Sequence, residues 1–438
     1  MGRRMKPDLE DTTFLPEAVA LQPGRLAGQV DIPPSKSISH RLMILGALSR
    51  QPVTIDNLLW CQDTEVTYRA LQAMGYLLDR EGQRVVCRGW ESPGSGEIPI
   101  HLGESGSSAR FLLAVAARTP GRFLLDGALG LRRRPVKPLI EALRQLGARI
   151  EAPGDRLPAT VYGGNLRGGR VALDASASSQ FVTALLLVAP FLPEGLEVHW
   201  QGQVASYPYV ELTLSLLKQA GVAWEEREVG IRVAGSQPLK QQRFFVEADF
   251  SNASYFLAGA LIGGGEVICR GLSPQSAQGD RAIESLLRAM GGQLSWVEGG
   301  LLARGGAALN GLEVNMQAFP DLVPTLAVTA LFAGSPSHFA GIRHLAVKES
   351  NRIRSVAENI LRLGGEVQAG EDSLVVKPAG LRGALLPAYG DHRIAMAFSL
   401  AGLRVPGVII DQADSVAKSF PHYWRDFFAV YVAAGPER

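Results

Sequence analysis

The sequence predicts an α/β protein of two lobes, each built from three βαβαββ repeat units with pseudo-threefold symmetry. Three observations predict it. A short cluster of Ser, Asp or Gly leads into an Ala/Leu-rich helix six times, at intervals of 70 to 73 residues. A glycine closes a second, amphipathic helix five times, at intervals of 70 to 74 residues. Apolar or alternating runs typical of strands follow these glycines, as at 84–89 and 230–235.

The first helix of each repeat begins close to one marker residue. The markers are Ser37, Ser107, Ser178, Ser251, Asp321 and Asp391. In the first repeat, PPSKSISHR precedes the apolar run LMILGAL, and a Pro and a Ser-rich turn before apolar periodicity are typical of a helix start. The repeat therefore predicts six equivalent helix starts, three to a lobe.

The second helix of each repeat ends at a glycine. These glycines are Gly75, Gly147, Gly221, Gly291 and Gly364. A glycine just beyond a helix end takes the left-handed conformation that terminates the helix. The period is longer than the 20 to 50 residues of solenoid repeats, so each unit is a small α/β layer.

Size and composition restrict the function classes. The chain has 438 residues, which favours two domains because one core stops growing at about 250–300 residues. Its 44 basic and 42 acidic residues nearly balance, which disfavours a broad nucleic-acid surface. Cys61, Cys87 and Cys269 are widely spaced and predict neither a disulfide framework nor a zinc site.

The chain ends and apolar runs favour a cytoplasmic protein. The first residues, MGRRMKPDLEDTT, turn from basic to acidic with no apolar segment behind them, so we expect no signal or transit peptide. The residues before about 24 form an extension whose role the sequence leaves open. The longest apolar run, at 181–192, is too short to span a membrane.

Cations crowd three of the helix starts. Lys36 and Arg41 open the first repeat, Arg110 the second, and His392 and Arg393 the sixth. The helix dipole disfavours a cation there by about 0.3–1 kcal/mol. Each motif taken singly is also compatible with a solvated basic turn. Their shared phase favours function, because only a bound polyanion would make the arrangement favourable.

Two further clusters and one lysine carry candidate chemistry. GLRRRPVKP contains Arg132 to Arg134 just before Pro135, which we expect at the first position of the next helix. AVKESNRIRS contains Lys348, Glu349, Arg352 and Arg354, and DSVAKSFPHYW contains Lys418. The sequence shows no nucleophilic triad, metal-ligand cluster or Gly-rich nucleotide loop. Together with the acid Asp321, these residues predict a site that holds two anionic substrates and moves protons between them.

Six motifs in order, PPSKSISHR, RRRP, ASSQF, VKESNR, GDHRIAM and VAKSFPHYW, closely resemble the 5-enolpyruvylshikimate-3-phosphate synthase family, over about residues 24–428. The resemblance implies an enolpyruvyl transferase-like inverse α/β barrel with no cofactor and no metal. One lobe would comprise 1–34 with 250–438 and the other 35–249, with the active site in the cleft between them. It also implies a monomer that acts on small molecules, without nucleic-acid or membrane partners.

The reaction implied is transfer of the carboxyvinyl group of phosphoenolpyruvate to the 5-hydroxyl of shikimate 3-phosphate, by addition–elimination, in the pathway to chorismate. By resemblance, the catalytic residues are Lys36, Asp321, Glu349 and His392. Those for phosphoenolpyruvate are Lys36, Gly106, Arg134, Gln180, Arg352, Arg393 and Lys418. Those for shikimate 3-phosphate are Lys36, Ser37, Arg41, Ser178, Ser179, Gln180, Ser206, Asp321 and Lys348, with Tyr209 lining its ring and Arg110 in support.

The resemblance assigns the protons as well. Asp321 would accept the proton of the 5-hydroxyl, Glu349 would act at the methylene carbon, and Lys36 would assist both, with His392 polarising or shuttling. Several positions depart from the family pattern. Residues 104–107 read Glu-Ser-Gly-Ser for Asn-Ala-Gly-Thr, Phe111 replaces a Pro, His344 an Asn and Asn351 an Asp. The departures bear on the shape of the phosphoenolpyruvate pocket and on sensitivity to glyphosate.

Three other functions stay open at this point. A UDP-N-acetylglucosamine enolpyruvyl transferase resembles the chain in its repeats, but it typically opens with K-N and uses a loop Cys where this chain has none between Cys87 and Cys269. An RNA 3′-phosphate cyclase-like protein would need a basic surface with stacking aromatics. A non-catalytic anion-binding protein would need no acids. The presence of Asp321 and Glu349 therefore disfavours this function.

Overall fold

The computed structural model describes residues 15–434, so most of the N-terminal extension lies outside the described residues. The chain divides into two compact units. Unit 1 comprises the chain up to Pro33, Ala248–Ser276 and the chain from Asp280 onward. Unit 2 comprises Pro34–Glu247 with the short segment Ala277–Gly279. Among the residues described, no helix is long and apolar enough to cross a membrane.

α-Helices are separated by one to three strands along most of the described residues. The helices are α1 (Lys36–Leu48), α2 (Gln62–Ala73), α3 (Gly106–Arg118), α4 (Leu129–Arg133), α5 (Lys137–Gln145), α6 (Gln180–Val188), α7 (Pro208–Gln219), α8 (Phe250–Gly263), α9 (Ile283–Ala289), α10 (Val323–Ala330), α11 (Arg352–Arg362), α12 (His392–Ser399) and α13 (Tyr423–Val430). The strands are β1 (Ala18–Ala20), β2 (Gly24–Asp31), β3 (Val53–Asp56), β4 (Tyr76–Glu81), β5 (Arg84–Trp90), β6 (Glu97–His101), β7 (Gly121–Asp126), β8 (Arg149–Glu151), β9 (Ala159–Gly163), β10 (Gly169–Asp174), β11 (Leu196–Gln201), β12 (Trp224–Arg227), β13 (Gly230–Val233), β14 (Arg243–Phe245), β15 (Glu266–Arg270), β16 (Gln293–Val297), β17 (Gly300–Arg304), β18 (Glu313–Asn315), β19 (Ser337–Ala340), β20 (Glu366–Ala369), β21 (Ser373–Lys377), β22 (Leu385–Pro387), β23 (Ile409–Asp411) and β24 (Tyr431–Ala433).

Unit 2 contains three four-stranded sheets of one design. Their strand orders are β14-β3-β5-β4, β6-β7-β9-β8 and β10-β11-β13-β12. In each sheet the first two strands pair in parallel. The third strand pairs antiparallel with the second, and the fourth pairs antiparallel with the third. The first sheet takes its outer parallel strand from β14, far along the chain, because β2, the strand that precedes α1, pairs in unit 1 instead.

Unit 1 repeats this design with additions. Its sheets are β16-β17-β15-β2-β24, β18-β19-β21-β20 and β1-β23-β22. The parallel pairs are β2 with β15, β18 with β19 and β22 with β23. The last repeat departs from the others, because its antiparallel strand is β1 from near the start of the chain and its own final strand, β24, pairs with β2.

The first helix of each repeat lies in the core of its unit. Every residue of α6 from Phe181 to Val188 is buried, and so is every residue of α8 from Phe250 to Ile262. Helices that are apolar all round are typical of such central positions. In unit 2, α1, α3 and α6 contact one another, and in unit 1 α10 contacts both α8 and α12. The second helices, such as α5 and α11, bury one face against the sheets.

The predicted repeat markers match the observed helix boundaries. All six first helices begin within two residues of their marker. The five predicted terminating glycines have φ between +76° and +92°, the left-handed conformation that glycine adopts without strain.

The predicted helix start at Pro135 is wrong. The helix after RRRP is α5, which begins two residues later at Lys137 with Val136 as its N-cap. A second proline, Pro138, lies in the first turn instead, where its missing amide hydrogen leaves no backbone bond unmade. Pro135 therefore belongs to the connection between α4 and α5.

Candidate functional site

The starts of α1, α3 and α6 in unit 2 carry no acidic residue in their first turns. At two of them a serine hydroxyl accepts a hydrogen bond from a backbone amide of the helix start. Ser105 Oγ accepts from the Ser108 amide of α3, and Ser178 Oγ accepts from the Gln180 amide of α6 at 3.2 Å. Unpaired amide groups and the helix dipole make such ends favourable for anions. Unit 2 therefore presents helix starts whose polarity suits phosphate or carboxylate groups.

Gln180 connects two of these helix starts. Its Nε2 donates to Ser107 Oγ at 3.0 Å, and its Oε1 accepts from Arg110 Nη1 at 3.0 Å. Arg110 also donates from Nη1 to the Gly106 carbonyl and from Nη2 to the Pro135 carbonyl. These contacts fix the first turns of α3 and α6 side by side and attach the segment after α4 to them.

Arg134 lies against the backbone of Gly106. A Cβ added at Gly106 would lie 2.6 Å from Arg134 Cζ and 2.6 Å from Arg110 Nη1. Arg134 itself is buried and follows α4 directly. Two guanidinium groups thus occupy the space over the Gly106 Cα, and any side chain at this position would displace them.

Lys36, the first residue of α1, has an acid beside it. Its Nζ donates to Asp63 Oδ2 at 3.0 Å, and both side chains are largely buried. Asp63 lies in the first turn of α2. The expectation that only a bound polyanion could make a cation favourable here is therefore wrong for Lys36, because an intramolecular carboxylate already offsets its charge.

Arg41 is fully enclosed by side chains and carbonyl groups of unit 2. Its Nε donates to Thr213 Oγ1 at 2.9 Å, its Nη1 to the Ser37 carbonyl at 2.8 Å and its Nη2 to the Tyr209 carbonyl at 3.0 Å. Burial lowers the pKa of Arg41 to about 10, and the group remains cationic at neutral pH. Its position fixes α1 relative to α7 and orients Ser37.

Three predicted serines line the remainder of this region. Ser178 and Ser179 are buried immediately before α6. Ser206 is buried with φ of +57°, and its Oγ has no hydrogen-bond partner among the described residues. A buried hydroxyl without a partner is rare in folded proteins. The Ser206 carbonyl accepts from the Tyr209 amide at 3.1 Å, which ties Ser206 to the start of α7.

Unit 1 collects carboxylates around one arginine. Arg352, 2% exposed, donates from Nη1 to Asp321 Oδ1, from Nη2 to Glu349 Oε2 and from Nε to Asp391 Oδ2, each at 2.7 Å. Burial would lower the pKa of Arg352, but Asp391, Glu349 and Asp321 outweigh burial and raise it. Both predicted proton-transfer acids, Asp321 and Glu349, thus share one buried guanidinium.

Asp321 contacts a second arginine. Arg393 Nη2 donates to Asp321 Oδ2 at 2.7 Å, and Arg393 Nη1 lies 3.5 Å from the Tyr255 hydroxyl. Burial alone would raise the pKa of Asp321, but Arg393, Arg352 and Lys348 together hold it well below its usual range. Asp321 is therefore ionised at neutral pH and able to accept a proton.

The other predicted residues of unit 1 surround this group. Lys348 precedes α11 and acts electrostatically on Asp321 and on His344. Burial and Lys348 lower the pKa of His344 to about 3, so its imidazole is neutral at physiological pH. His392 is 1% exposed, with Nδ1 3.7 Å from Asp391 Oδ1. Lys418 is buried at the end of the segment Ala413–Lys418, which packs on α12.

Sequence reasoning missed the contacts of three acids in these groups. Asp63 pairs with Lys36, Asp391 pairs with Arg352, and Asp280 accepts a hydrogen bond from Ser251 in unit 1. Asp63 and Asp280 carried a recognisable signal. Counting back eleven to thirteen residues from each terminating glycine reaches Asp63, Arg134, Tyr209, Asp280 and Arg352. An acid at this position resembles an ordinary acid at the start of a helix. Only its fixed place in the repeat distinguishes it from such a residue.

The two units thus offer different chemistry. Unit 2 combines helix starts that lack acids with hydroxyl groups and buried arginines, which suits the binding of phosphates and carboxylates. Unit 1 combines carboxyl groups, of which Asp321 is ionised, with arginines and lysines, which suits proton transfer near bound anions.

Comparisons with known proteins agree on one family. A family model described as EPSP synthase (3-phosphoshikimate 1-carboxyvinyltransferase) matches residues 21–427. The 3-phosphoshikimate 1-carboxyvinyltransferase of Syntrophobacter fumaroxidans is 41% identical over 414 residues, which covers 92% of this chain and 96% of that protein. The chloroplastic 3-phosphoshikimate 1-carboxyvinyltransferase of Petunia hybrida is 36% identical, over 94% of this chain and 85% of its own length.

A solved structure shows the same fold. The EPSP synthase of Acinetobacter baumannii superimposes with a TM-score of 0.79 at 25% identity, covering 95% of this chain and 98% of that one. The predicted fold class is thereby confirmed.

Proposed function

This chain belongs to the EPSP synthase (3-phosphoshikimate 1-carboxyvinyltransferase) family, and from that membership we propose which of its residues bind the substrates and move the protons. The enzyme transfers the carboxyvinyl group of phosphoenolpyruvate to the 5-hydroxyl of shikimate 3-phosphate and releases phosphate, in the shikimate pathway to chorismate and the aromatic amino acids. Each phosphate monoester brings about −1.5 to −2 charges, and each substrate adds a carboxylate.

The residues of unit 2 bind the anionic groups in this proposal. Lys36, Gly106, Arg134 and Gln180 bind phosphoenolpyruvate, while the hydroxyl groups at the start of α6 and after β11 bind shikimate 3-phosphate. The members of the shikimate-phosphate set in unit 2 are Lys36, Ser37, Arg41, Ser178, Ser179, Gln180 and Ser206, and Asp321 and Lys348 of unit 1 complete the set. The buried and unpartnered Ser206 Oγ supports this assignment, because a substrate oxygen would satisfy it. Arg41 contributes chiefly by orienting Ser37 and the start of α7.

The residues of unit 1 move the protons. Asp321 accepts the proton of the 5-hydroxyl as its oxygen adds to phosphoenolpyruvate, and Glu349 delivers a proton to the methylene carbon. In the elimination step Glu349 removes a methyl proton as phosphate leaves. Lys36 assists both steps, and His392 polarises or shuttles. Arg352, Arg393 and Lys418 bind phosphoenolpyruvate, and Lys348 binds shikimate 3-phosphate.

The low pKa of Asp321 would make it a weak base unless binding changed its surroundings. Arg393 and Arg352 are the main groups that lower this pKa. Substrate phosphate or carboxylate groups near these guanidinium groups would oppose their positive charge and raise the pKa of Asp321. Substrate binding would then increase the basicity of Asp321 when the 5-hydroxyl is in place.

The observation that supports this division most directly is the contact of Arg352 with both Asp321 and Glu349 at 2.7 Å. The test follows deuterium from solvent into the methylene group of phosphoenolpyruvate during turnover. We expect Glu349→Gln to slow this incorporation by about 10²–10⁴, the usual contribution of a positioned acid or base.

Glu358→Gln is the matched control, because Glu358 lies on α11, six residues beyond Arg352, and pairs with Arg354 at the surface. It should keep the wild-type incorporation rate. Deuterium incorporation that is unaffected in Glu349→Gln would remove Glu349 from the protonation step.

The acceptor is tested separately. Phosphate release should require shikimate 3-phosphate, and release with UDP-N-acetylglucosamine alone would contradict the assignment of the acceptor. A monomeric state and a cytoplasmic location remain predictions, which gel filtration and cell fractionation check.

A further inference from the structure

Asp280 occupies in the fourth repeat the position that Asp63 occupies in the first. Both lie eleven or twelve residues before the glycine that ends the second helix of their repeat. Asp63 forms an ion pair with Lys36 at the start of α1, and Asp280 accepts a hydrogen bond from Ser251 Oγ at the start of α8. The equivalent positions in the second and fifth repeats hold arginines, at 134 and 352. The repeat thus places Asp280 among residues that act at the helix starts.

One face of α8 connects Asp280 to the proton-transfer group. Ser251, Ser254 and Tyr255 share this face, because residues three and four apart are neighbours on a helix. Ser251 bonds Asp280, Ser254 Oγ lies 3.1 Å from Thr325 Oγ1 of α10, and Tyr255 contacts Arg393. Asp280 is 3% exposed, and the charges of Asp321 and Arg393 act on its carboxyl group.

Among the described residues, charged groups of three elements act on Asp280. Asp249 caps α8, Asp321 precedes α10, and Arg393 lies in the first turn of α12. Burial and the charge of Asp321 raise the pKa of Asp280 to about 7, although Arg393 and the Ser251 hydrogen bond act in the other direction. Asp321 is ionised, whereas Asp280 holds a proton at slightly acidic pH.

We infer that Asp280 is a positioning residue for the transfer reaction, because its carboxyl group sets how much of the Arg393 charge is available to Asp321 and to the anionic substrate. The inference rests on the roles proposed above for Asp321 and Arg393. With Asp280 neutral, Asp321 interacts with Arg393 unopposed. An ionised Asp280 attracts Arg393 and repels phosphoenolpyruvate, so it weakens binding of this substrate.

The test compares kcat and KM for phosphoenolpyruvate in the wild-type enzyme and in Asp280→Asn between pH 5.5 and 9. Taking the ratio of variant to wild type cancels the ionisation of the substrates themselves. At pH 6 we expect the two values of kcat/KM to agree within about fivefold. Above pH 7, where Asp280 is ionised, the ratio should rise about tenfold, mainly through KM, which is the effect of a charge interaction worth about one pKa unit.

Asp426→Asn is the matched control. Asp426 lies on α13 of the same unit, and burial also raises its pKa. Its ratio to wild type should not change with pH. A constant ratio for Asp280→Asn, or an equal pH dependence in Asp426→Asn, would overturn the inference.

Ser251→Ala provides a second variant should Asp280→Asn fold poorly. The Ser251 hydrogen bond lowers the pKa of Asp280, so its loss should move the midpoint of the KM profile to higher pH. An unchanged midpoint would overturn the inference. Asp321→Asn separates the two proposals: if it retains wild-type turnover, the base assigned above is wrong, whereas lost turnover with a constant Asp280→Asn ratio refutes the role of Asp280 alone.

Discussion

Arg352 provides the sharpest test of the electrostatics of unit 1. Its guanidinium is 2% exposed and makes four hydrogen bonds of 2.7 to 3.3 Å to Asp321, Glu349 and Asp391. Arg352→Met keeps a long side chain but removes the charge, so three carboxylates lose their shared partner. Breaking a buried ion pair by removing one partner costs about 3–5 kcal/mol. We expect the free energy of unfolding at pH 8 to fall by about that amount.

The pKa of Asp321 determines how the loss of stability in Arg352→Met should depend on pH. In the wild type the lowered pKa of Asp321 contributes stability above the unfolded pKa of about 3.9, which is lost as the pH falls through the folded value. Without Arg352 the pKa of Asp321 rises, so this carboxyl group takes up a proton in mild acid and its charge disappears. The difference in stability between variant and wild type should therefore be largest near pH 8 and shrink toward pH 5.

Urea unfolding followed by circular dichroism at pH 8 and pH 5 measures both quantities. Arg354→Met is the control, because Arg354 lies on the same helix but is exposed and pairs only at the surface with Glu358. We expect little change in the control at either pH. A loss below about 1 kcal/mol for Arg352→Met at pH 8, or a difference that grows as the pH falls, would refute the reasoning.

The remaining predictions concern unit 2. Lys36→Met should lower kcat by about 10²–10³ with the fold retained, because it removes one preorganised charge. A phosphate-release assay measures kcat, and circular dichroism checks the fold. Near-normal turnover would exclude Lys36 from the mechanism. Gly106→Ala should raise KM for phosphoenolpyruvate at least tenfold, by about 1.4 kcal/mol of lost binding, because the new Cβ would lie 2.6 Å from atoms of Arg110 and Arg134. Unchanged KM in Gly106→Ala would mean that these guanidinium groups do not bind this substrate.

Much of the fold could be predicted from the repeat. Six helix starts and five terminating glycines recur with nearly the same period, so an error in placing one helix boundary is corrected by the others. The starts of α1, α3 and α12 lie within one residue of their markers. Strand pairing could not be predicted in the same way. β14 pairs with β3 and β2 with β15 across long stretches of chain, and the repeat makes several such partners equivalent.

The sequence led to the candidate site residues but not to their ion pairs. Cations at the starts of α1 and α12 predicted functional positions, yet the sequence did not show that Asp63 would pair with Lys36 or Asp391 with Arg352. Such ion pairs form between helices that only the fold brings together, so no local sequence pattern predicts them. Asp280 was missed for the same reason, since its partner Ser251 is separated from it by 29 residues.

The central claim of the proposed function is that Lys36, Arg134 and Arg393 all bind phosphoenolpyruvate. A crystal structure with shikimate 3-phosphate and an unreactive phosphoenolpyruvate mimic tests it most directly. The account predicts Lys36 and Arg134 of unit 2, together with Arg393 of unit 1, within about 3.2 Å of oxygen atoms of the mimic. A mimic bound by residues of one unit alone, with these side chains retaining their intramolecular partners, would contradict it.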